Sequence, residues 1–279
     1  MSKTSSGENF PVGSMLLPAE ARPQVAAFYR FARVADDVAD DPGLSPDEKV
    51  ALLDGMDAAL RGESVSTPRS QPATALRRTL LEKGITVEQP RALLVAFRRD
   101  ALRNQCADWD DLMDYCRYSA APVGRFLIEV HGEDETPVGA SDALCAALQV
   151  LNHIQDARAD FLNLDRVYVP ADWLAEEGLD RSVLGGAGGD AALMRVFSRM
   201  LDGVDALLST AAPLAGRMTC RGLRLESAVI VTLAGRLAAK LRGRDPIAGF
   251  IGLKWHDWAY CVPLGLMRGL RAGRTGSQR

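Results

Sequence analysis

Gln149-Val150-Leu151-Asn152-His153-Ile154-Gln155-Asp156-Ala157-Arg158-Ala159-Asp160 is the stretch whose reading decides the fold. Taken as a helix, it sets Gln149, Asn152, Asp156 and Asp160, with Asn163 beyond, at steps of three and four, which stack side chains on one face. Leu148, Val150, Leu151, Ile154, Ala157, Phe161 and Leu162 fill the other faces, so the helix is apolar around a polar stripe. A helix of that kind is normally buried, and a buried carboxylate needs a counter-charge or a metal. Asp156 and Asp160 also repel one another by roughly a few tenths of a kcal/mol. Something has to offset that repulsion.

A second stretch makes the same choice. Arg33-Val34-Ala35-Asp36-Asp37-Val38-Ala39-Asp40-Asp41 sets Asp36 and Asp40 four apart, with Arg33 one turn earlier, and Pro42-Gly43 must end the helix. Four aspartates thus crowd a helix C-terminus, where the dipole disfavours negative charge, and Asp is a mediocre helix former. Either pair alone reads as a solvated acidic surface. Two such pairs, each against local preference and each on an otherwise apolar helix, point to a shared divalent cation.

The bounds agree with a soluble globular protein. The chain has 279 residues, 47% hydrophobic and 25% charged, which is ordinary for a globular protein with one large core. A net charge of −3, without a basic block interleaved with aromatics, argues against a nucleic-acid partner. Five cysteines without metal-ligand spacing suit reduced thiols and a cytoplasmic location. Met1 to Gly7 lacks the apolar core of a signal peptide, and no run approaches the roughly 20 apolar residues that span a bilayer.

In order, the chain reads as helix after helix: Pro18 to Asp41, Ser45-capped to about Arg61, Gln71 to Lys83, Glu88 to Cys106, Asp108-capped Trp109 to His131, and Ser141-capped through Asn163. A turn of helix over Asp172 to Glu177 precedes Asp190 to Met218 and Leu223 to Arg242. The apolar-aromatic segment Ile247 to Leu270, followed by Arg268, Arg271, Arg274 and Arg279, reads as a final packed helix, with a membrane-surface anchor as the alternative. No strand-period alternation persists. The expectation is all-α: one domain over residues 1–279, a helical bundle around a central apolar cavity, with residues 1–7 and about 272–279 flexible.

The carboxylate pairs set the chemistry. Magnesium takes oxygen ligands and commonly bridges one or two carboxylates to substrate phosphates, so Asp36, Asp37, Asp40, Asp156 and Asp160 are the candidate metal ligands. A diphosphate would bind through the metal and through Arg33 and Arg166, with Asn9 or Asn152 as donors and Gln149 on the same stripe. Metal and arginine stabilise charge growing on a departing diphosphate, leaving a carbocation in a dry pocket where aromatic faces can help. Phe28, Phe31, Phe126 and Phe161 read as mostly core, and those facing the acidic stripes would also suit a pocket for an extended hydrocarbon. His131, His153 and His256 form no zinc pattern, and His153, off the stripe, reads as structural. There is no GxSxG nucleophile motif and no dinucleotide fingerprint. The residues lead to metal-dependent ionisation of a lipid diphosphate, and not to its product.

Asp36-Asp37-Val38-Ala39-Asp40 and Gln155-Asp156-Ala157-Arg158-Ala159-Asp160-Phe161 resemble the paired aspartate motifs of the squalene and phytoene synthase family. So do Arg166-Val167-Tyr168-Val169-Pro170 and Tyr115-Cys116-Arg117-Tyr118-Ser119-Ala120-Ala121-Pro122-Val123-Gly124-Arg125. Within that family, Glu8-Asn9-Phe10-Pro11-Val12 and Asn152-His153-Ile154-Gln155-Asp156 resemble the hopanoid-cluster branch known as HpnC. The resemblance covers about residues 8–180 and implies an all-α isoprenoid synthase fold. It also implies magnesium held by Asp36, Asp40, Asp156 and Asp160, and Arg33, Asn152 and the catalytic candidate Tyr168 near the diphosphate. The branch is taken to convert presqualene diphosphate to hydroxysqualene by water capture, without NADPH. Family members often carry Arg where this chain has Gln155, a change that either loosens diphosphate contact or helps place a water.

Two other readings stay open: a head-to-head condensing prenyltransferase, and a non-catalytic assembly factor with the same fold. A lipid diphosphate substrate also implies a peripheral contact with the inner membrane surface and a loose association with pathway neighbours.

Overall fold

The computed structural model describes residues 18–63 and 67–276, so Asn9 lies outside the described residues. α1 (Arg22–Asp40) starts with Pro23 in its first turn and ends where Asp41 accepts from the Gly43 N–H at 3.0 Å. Its buried face, including Val25, Phe28, Phe31, Ala35 and Val38, repeats at helical steps. α2 (Pro46–Arg61) has the expected start: Ser45 and Glu48 form a reciprocal capping box. α3 (Gln71–Leu81) and α4 (Glu88–Leu102) complete a first group with α1 and α2.

The single helix expected over Trp109 to His131 is two: α5 (Trp109–Ser119), capped by Asp108 as read, and α6 (Ala121–Val130). Pro122 explains the break at Ala120. Its ring has no N–H to donate to the Tyr118 carbonyl four residues back and clashes with it, so the chain leaves helical geometry at Ala120 (φ −123°) and restarts with Pro122 in the first turn of α6. α6 packs on the long α7 (Val138–Leu164) at close range, because a Cβ on Gly124 would sit only 2.3 Å from the Ser141 hydroxyl. Ser141 is therefore a buried interhelical contact and not the cap. The helix starts three residues earlier, after Pro137.

α7 ends at Asp165, the one non-glycine described with positive φ (53°). That left-handed turn is held by the Asn104 amide, which donates to Asp165 Oδ2 at 2.8 Å, and it reverses the chain. Val167 then pairs with Gln105, the Cys106 N–H donating to Val167 O at 3.0 Å and the Val167 N–H to Asn104 O at 2.8 Å. This bridge stops α4 at Leu102, short of the expected Cys106, since the Asn104–Cys106 backbone is bonded sideways.

α8 (Ala171–Glu176), α9 (Ala191–Ala211), α10 (Arg221–Leu241) and α11 (Trp255–Gly276) complete the chain, with 3-10 turns at Arg181–Gly185 and Leu214–Arg217. α9 stops before Pro213, shorter than the expected run to Met218. α9 and α10 pack on α7, and α11 lies against α10. One apolar core runs through α1 to α10, holding Phe28, Phe31 and Phe126 with Phe161 packed at its edge, and a smaller cluster of Val229, Leu233 and Cys261 seats α11 on α10. Phe28 and Phe126 stack with centroids 4.1 Å apart. The expected all-α, single-domain fold is what forms. All five cysteines are free thiols, and among the described residues no helix is long and apolar enough to cross a membrane.

Candidate functional site

α1 and α7 present their acids to one cavity of about 880 Å³. The stripe read from the sequence becomes a wall: Gln149, Asn152, Asp156, Asp160 and Asn163 all line it, facing Arg33, Asp36, Asp37 and Asp40 of α1. Arg166 and Tyr168 enter from below, delivered by the reversal at Asp165. The apolar lining is thinner than expected. Phe97 faces the space with the rings of Tyr115, Tyr168 and His153, while Phe28, Phe31 and Phe126 lie in the core, where most of the phenylalanines were expected.

Charge is concentrated here. Burial, and then the charge of Asp40, push the Asp36 carboxyl up to about 7 against the opposing pull of Arg33 and Arg166. Arg33 Nη1 lies 3.5 Å from Asp36, and its Nε 4.0 Å from Asp37. Arg166 is buried and donates to Asp40 Oδ1 at 2.5 Å and to the Ala39 carbonyl at 2.8 Å. Its guanidinium is held still more firmly protonated by Asp100, Tyr168 and Asp40, against the desolvation that opposes it.

Two residues on the wall escaped the sequence reading. Asp100, at the end of α4, accepts from Tyr115 at 2.7 Å and from Tyr168 at 3.0 Å, with the two hydroxyls 3.3 Å apart. Desolvation lifts Asp100 to about 6, while Arg166 and the two phenols pull the other way. Burial and then the Asp100 charge raise both tyrosines well above the ordinary range, so they stay protonated donors. A signal existed in the sequence: Asp100 continues the core-facing run Leu93, Phe97 at helical spacing, an odd place for a lone acid. His153 is the other. It stacks on Tyr168 with centroids 3.7 Å apart and lines the cavity, which a purely structural reading did not foresee.

Gln155 departs from its expected place. It is buried outside the cavity lining, and its amide donates to the Ile251 carbonyl at 2.6 Å. One residue along a helix turns the side chain by about 100°, from a period of 3.6. Gln155 therefore faces the segment before α11 while Asp156 faces the cavity.

The donor set fits a hard divalent cation of the magnesium type. Among the described residues no three His, Cys, Asp or Glu side chains converge on one point. A cation here would take one or two carboxylates from a wall and its remaining oxygens from a phosphorylated ligand, which is how magnesium is commonly held.

The squalene/phytoene synthase family model matches residues 3–259. The chain belongs to the squalene/phytoene synthase family. A protein of Rhodopseudomonas palustris named hydroxysqualene synthase is 41% identical over 90% of this chain and 85% of its own. A protein of the same name from Sinorhizobium fredii is 40% identical over 86% and 81%. The crystal structure of squalene synthase HpnC from Alicyclobacillus acidocaldarius superposes with a TM-score of 0.72 at 31% identity, over 86% of this chain and 90% of that one. A dehydrosqualene synthase in complex with ligand, 18% identical, shares the fold with a TM-score of 0.73 over 90% of this chain and 87% of its own. For a member of this family, the facing aspartate pairs, Arg166 and the aromatic floor all lie within one cavity.

Proposed function

We propose that this cavity converts presqualene diphosphate and water to hydroxysqualene and diphosphate, with magnesium as the cofactor. The observation that carries the reading is the meeting of two i,i+4 aspartate pairs, Asp36/Asp40 and Asp156/Asp160, across one cavity. Its choice of product follows the two relatives named hydroxysqualene synthase, which this chain matches over more than four-fifths of their length.

Asp36, Asp40, Asp156 and Asp160 would hold the cation, which when bound supplies charge neutralisation for the leaving diphosphate. Arg33 and Arg166 add fixed positive charge at the same end, and Asn152 and Gln149 offer amide donors along the α7 wall. The carbon–oxygen bond to diphosphate breaks, water adds to the carbocation, and the water's proton leaves through Tyr115 or Tyr168 to Asp100. The faces of Tyr115, Tyr168 and Phe97 line the space where positive charge develops. No electrons enter, so NADPH has no part. Substrate and product are lipids, which supports a peripheral contact with the inner membrane surface and a loose association with pathway neighbours.

Incubation of the protein with presqualene diphosphate and magnesium, with and without NADPH, tests the reading by product analysis. The expected result is hydroxysqualene in equal yield in both. Squalene formed only with NADPH, or condensation of farnesyl diphosphate with no turnover of presqualene diphosphate, would overturn it in favour of a condensing enzyme. No release of diphosphate from any substrate would move the chain to the non-catalytic members of its fold.

A further inference from the structure

α11 has two faces. Asp257, Cys261, Gly265 and Gly269, at steps of four, are buried against α10. The glycines allow backbone-close packing: a Cβ on Gly265 would lie 2.5 Å from Val229 Cα, and one on Gly269 3.2 Å from Leu225 Cα. That contact fixes which face looks outward. There Trp255, Ala259, Pro263, Met267 and Arg271 follow at the same step, all exposed. Tyr260 and Leu270 flank them, and Phe250 precedes them. Among the described residues, the other exposed large hydrophobics are scattered over α3, α4 and α7, whereas Phe250 (65% exposed), Trp255 (80%) and Tyr260 (66%) fall within eleven residues. A concentrated apolar patch marks a contact surface, and scattered ones do not.

Charge selects the occupant. Residues 247–276 contain four basic residues (Lys254, Arg268, Arg271 and Arg274) and one acid, in a chain whose net charge is −3. That acid, Asp257, is buried, bound by Arg236 at 2.7 Å and by Lys240 at 2.5 Å, and receives the Lys254 N–H at 2.8 Å. Nothing acidic is left on the face. A second copy meeting it by the same face would set basic residues against basic residues. A layer of anionic headgroups complements them, and Trp and Tyr favour the depth of those headgroups.

We propose that the outer face of α11, led by Trp255 and Tyr260, together with Phe250 in the segment before it, docks the protein on the surface of an anionic lipid bilayer. The preference for lipid over a protein partner rests in part on the lipid substrate assigned above. The docked segment is tied to the cavity helix, since the Ile251 carbonyl accepts from Gln155, the neighbour of Asp156.

Flotation of the full-length protein with vesicles of phosphatidylglycerol and phosphatidylcholine, against phosphatidylcholine alone, tests this. The wild type is expected to float with the anionic vesicles, less so at high salt. The combined Phe250→Ser, Trp255→Ser and Tyr260→Ser variant should bind at least about tenfold more weakly, equivalent to about 1.4 kcal/mol. Arg268→Glu with Arg271→Glu, a change that leaves the apolar patch intact, should remove the preference for anionic lipid. The Trp255→Phe variant should lose the vesicle-induced blue shift of tryptophan emission. Absence of wild-type flotation, or equal flotation by the serine and glutamate variants, overturns the proposal. So does a sedimenting dimer that the serine variant dissociates, which would give the face to a second copy. Diphosphate release from detergent-dispersed substrate is the separate readout. Release retained by a serine variant that no longer floats supports docking, and a wild type that floats without releasing diphosphate fails only the assigned reaction.

Discussion

Arg166 donates to Asp40 Oδ1 at 2.5 Å across 126 residues of sequence, and its other arm reaches the Ala39 carbonyl at 2.8 Å. The end of one acidic helix is thereby fastened to the turn that follows the other. Four aspartates at a helix C-terminus are unfavourable alone, and a buried guanidinium is unfavourable alone. Together each offsets the other, and the free carbonyl of the last turn gains a donor.

Replacing Arg166 with Met leaves Asp40 without its partner and Ala39 without its donor. The pair is half open on the Asp40 side, so the loss should be smaller than for a fully buried pair, about 2 kcal/mol. Lysine keeps the charge but cannot reach both acceptors in a fork, and should recover about half. Urea unfolding measures both. Diphosphate release should fall further than stability explains, because Arg166 also lines the cavity.

The aspartates carry the next test. Asp36→Asn and Asp156→Asn are expected to lower magnesium-dependent turnover by about two orders of magnitude or more with circular dichroism unchanged. Turnover within a fewfold of wild type in either variant would remove the metal assignment.

Asp36 also makes stability depend on pH without any cation. Its folded value of about 7 lies above the ordinary 3.8, so the folded state binds the proton more tightly than the unfolded chain. The favourable contribution is complete below about pH 4 and is lost as pH rises toward 7. Because the Asp36 side chain is 41% exposed to the cavity, screening reduces the effect to about 1 kcal/mol, or roughly 2–4 °C in Tm for a chain of this size. In chelator, thermal melts of the wild type should lose more between pH 4 and 7 than those of Asp36→Asn, which keep the share from Asp100, itself raised to about 6. Added magnesium should restore Tm more at pH 7.5 than at pH 5.

What was legible in the sequence, and what was not, divides along a physical line. Helical period alone placed Gln149, Asn152, Asp156, Asp160 and Asn163 on one face, and Ser45, Pro46 and Asp108 marked helix starts that formed. The period could not say which faces meet. Asp100, about sixty positions from either motif, joins the site where Asn104–Cys106 bridges to Val167 and brings the Tyr168 hydroxyl to its carboxylate. Gln155 was misplaced for the converse reason. Its neighbour in sequence is in the cavity, but its own partner, Ile251, is 96 residues away. The break at Ala120 was readable from Pro122, which cannot bond back into the turn before it.

Asp100 should reveal itself in a pH profile. With a value near 6, it is protonated below that pH and able to accept a proton above it. Hydroxysqualene formation should therefore rise through about pH 6 in the wild type. Asp100→Asn keeps the size of the side chain but cannot accept, so that limb should flatten and kcat should drop by about 10²–10³. A rise in KM alone, with the limb intact, would reduce Asp100 to holding the two tyrosines in place.

Gln155 gives the last prediction. Its amide satisfies the Ile251 carbonyl in a buried setting, and leaving such a group without its partner costs about 1–3 kcal/mol. Gln155→Ala should lose that much in urea unfolding while inhibition by inorganic diphosphate stays within about twofold. Gln155→Arg, which adds bulk and charge at a packed site, should destabilise at least as much and should not tighten diphosphate inhibition. A tighter inhibition constant in the arginine variant would show that this position reaches the cavity, and that the bond to Ile251 opens when ligand binds.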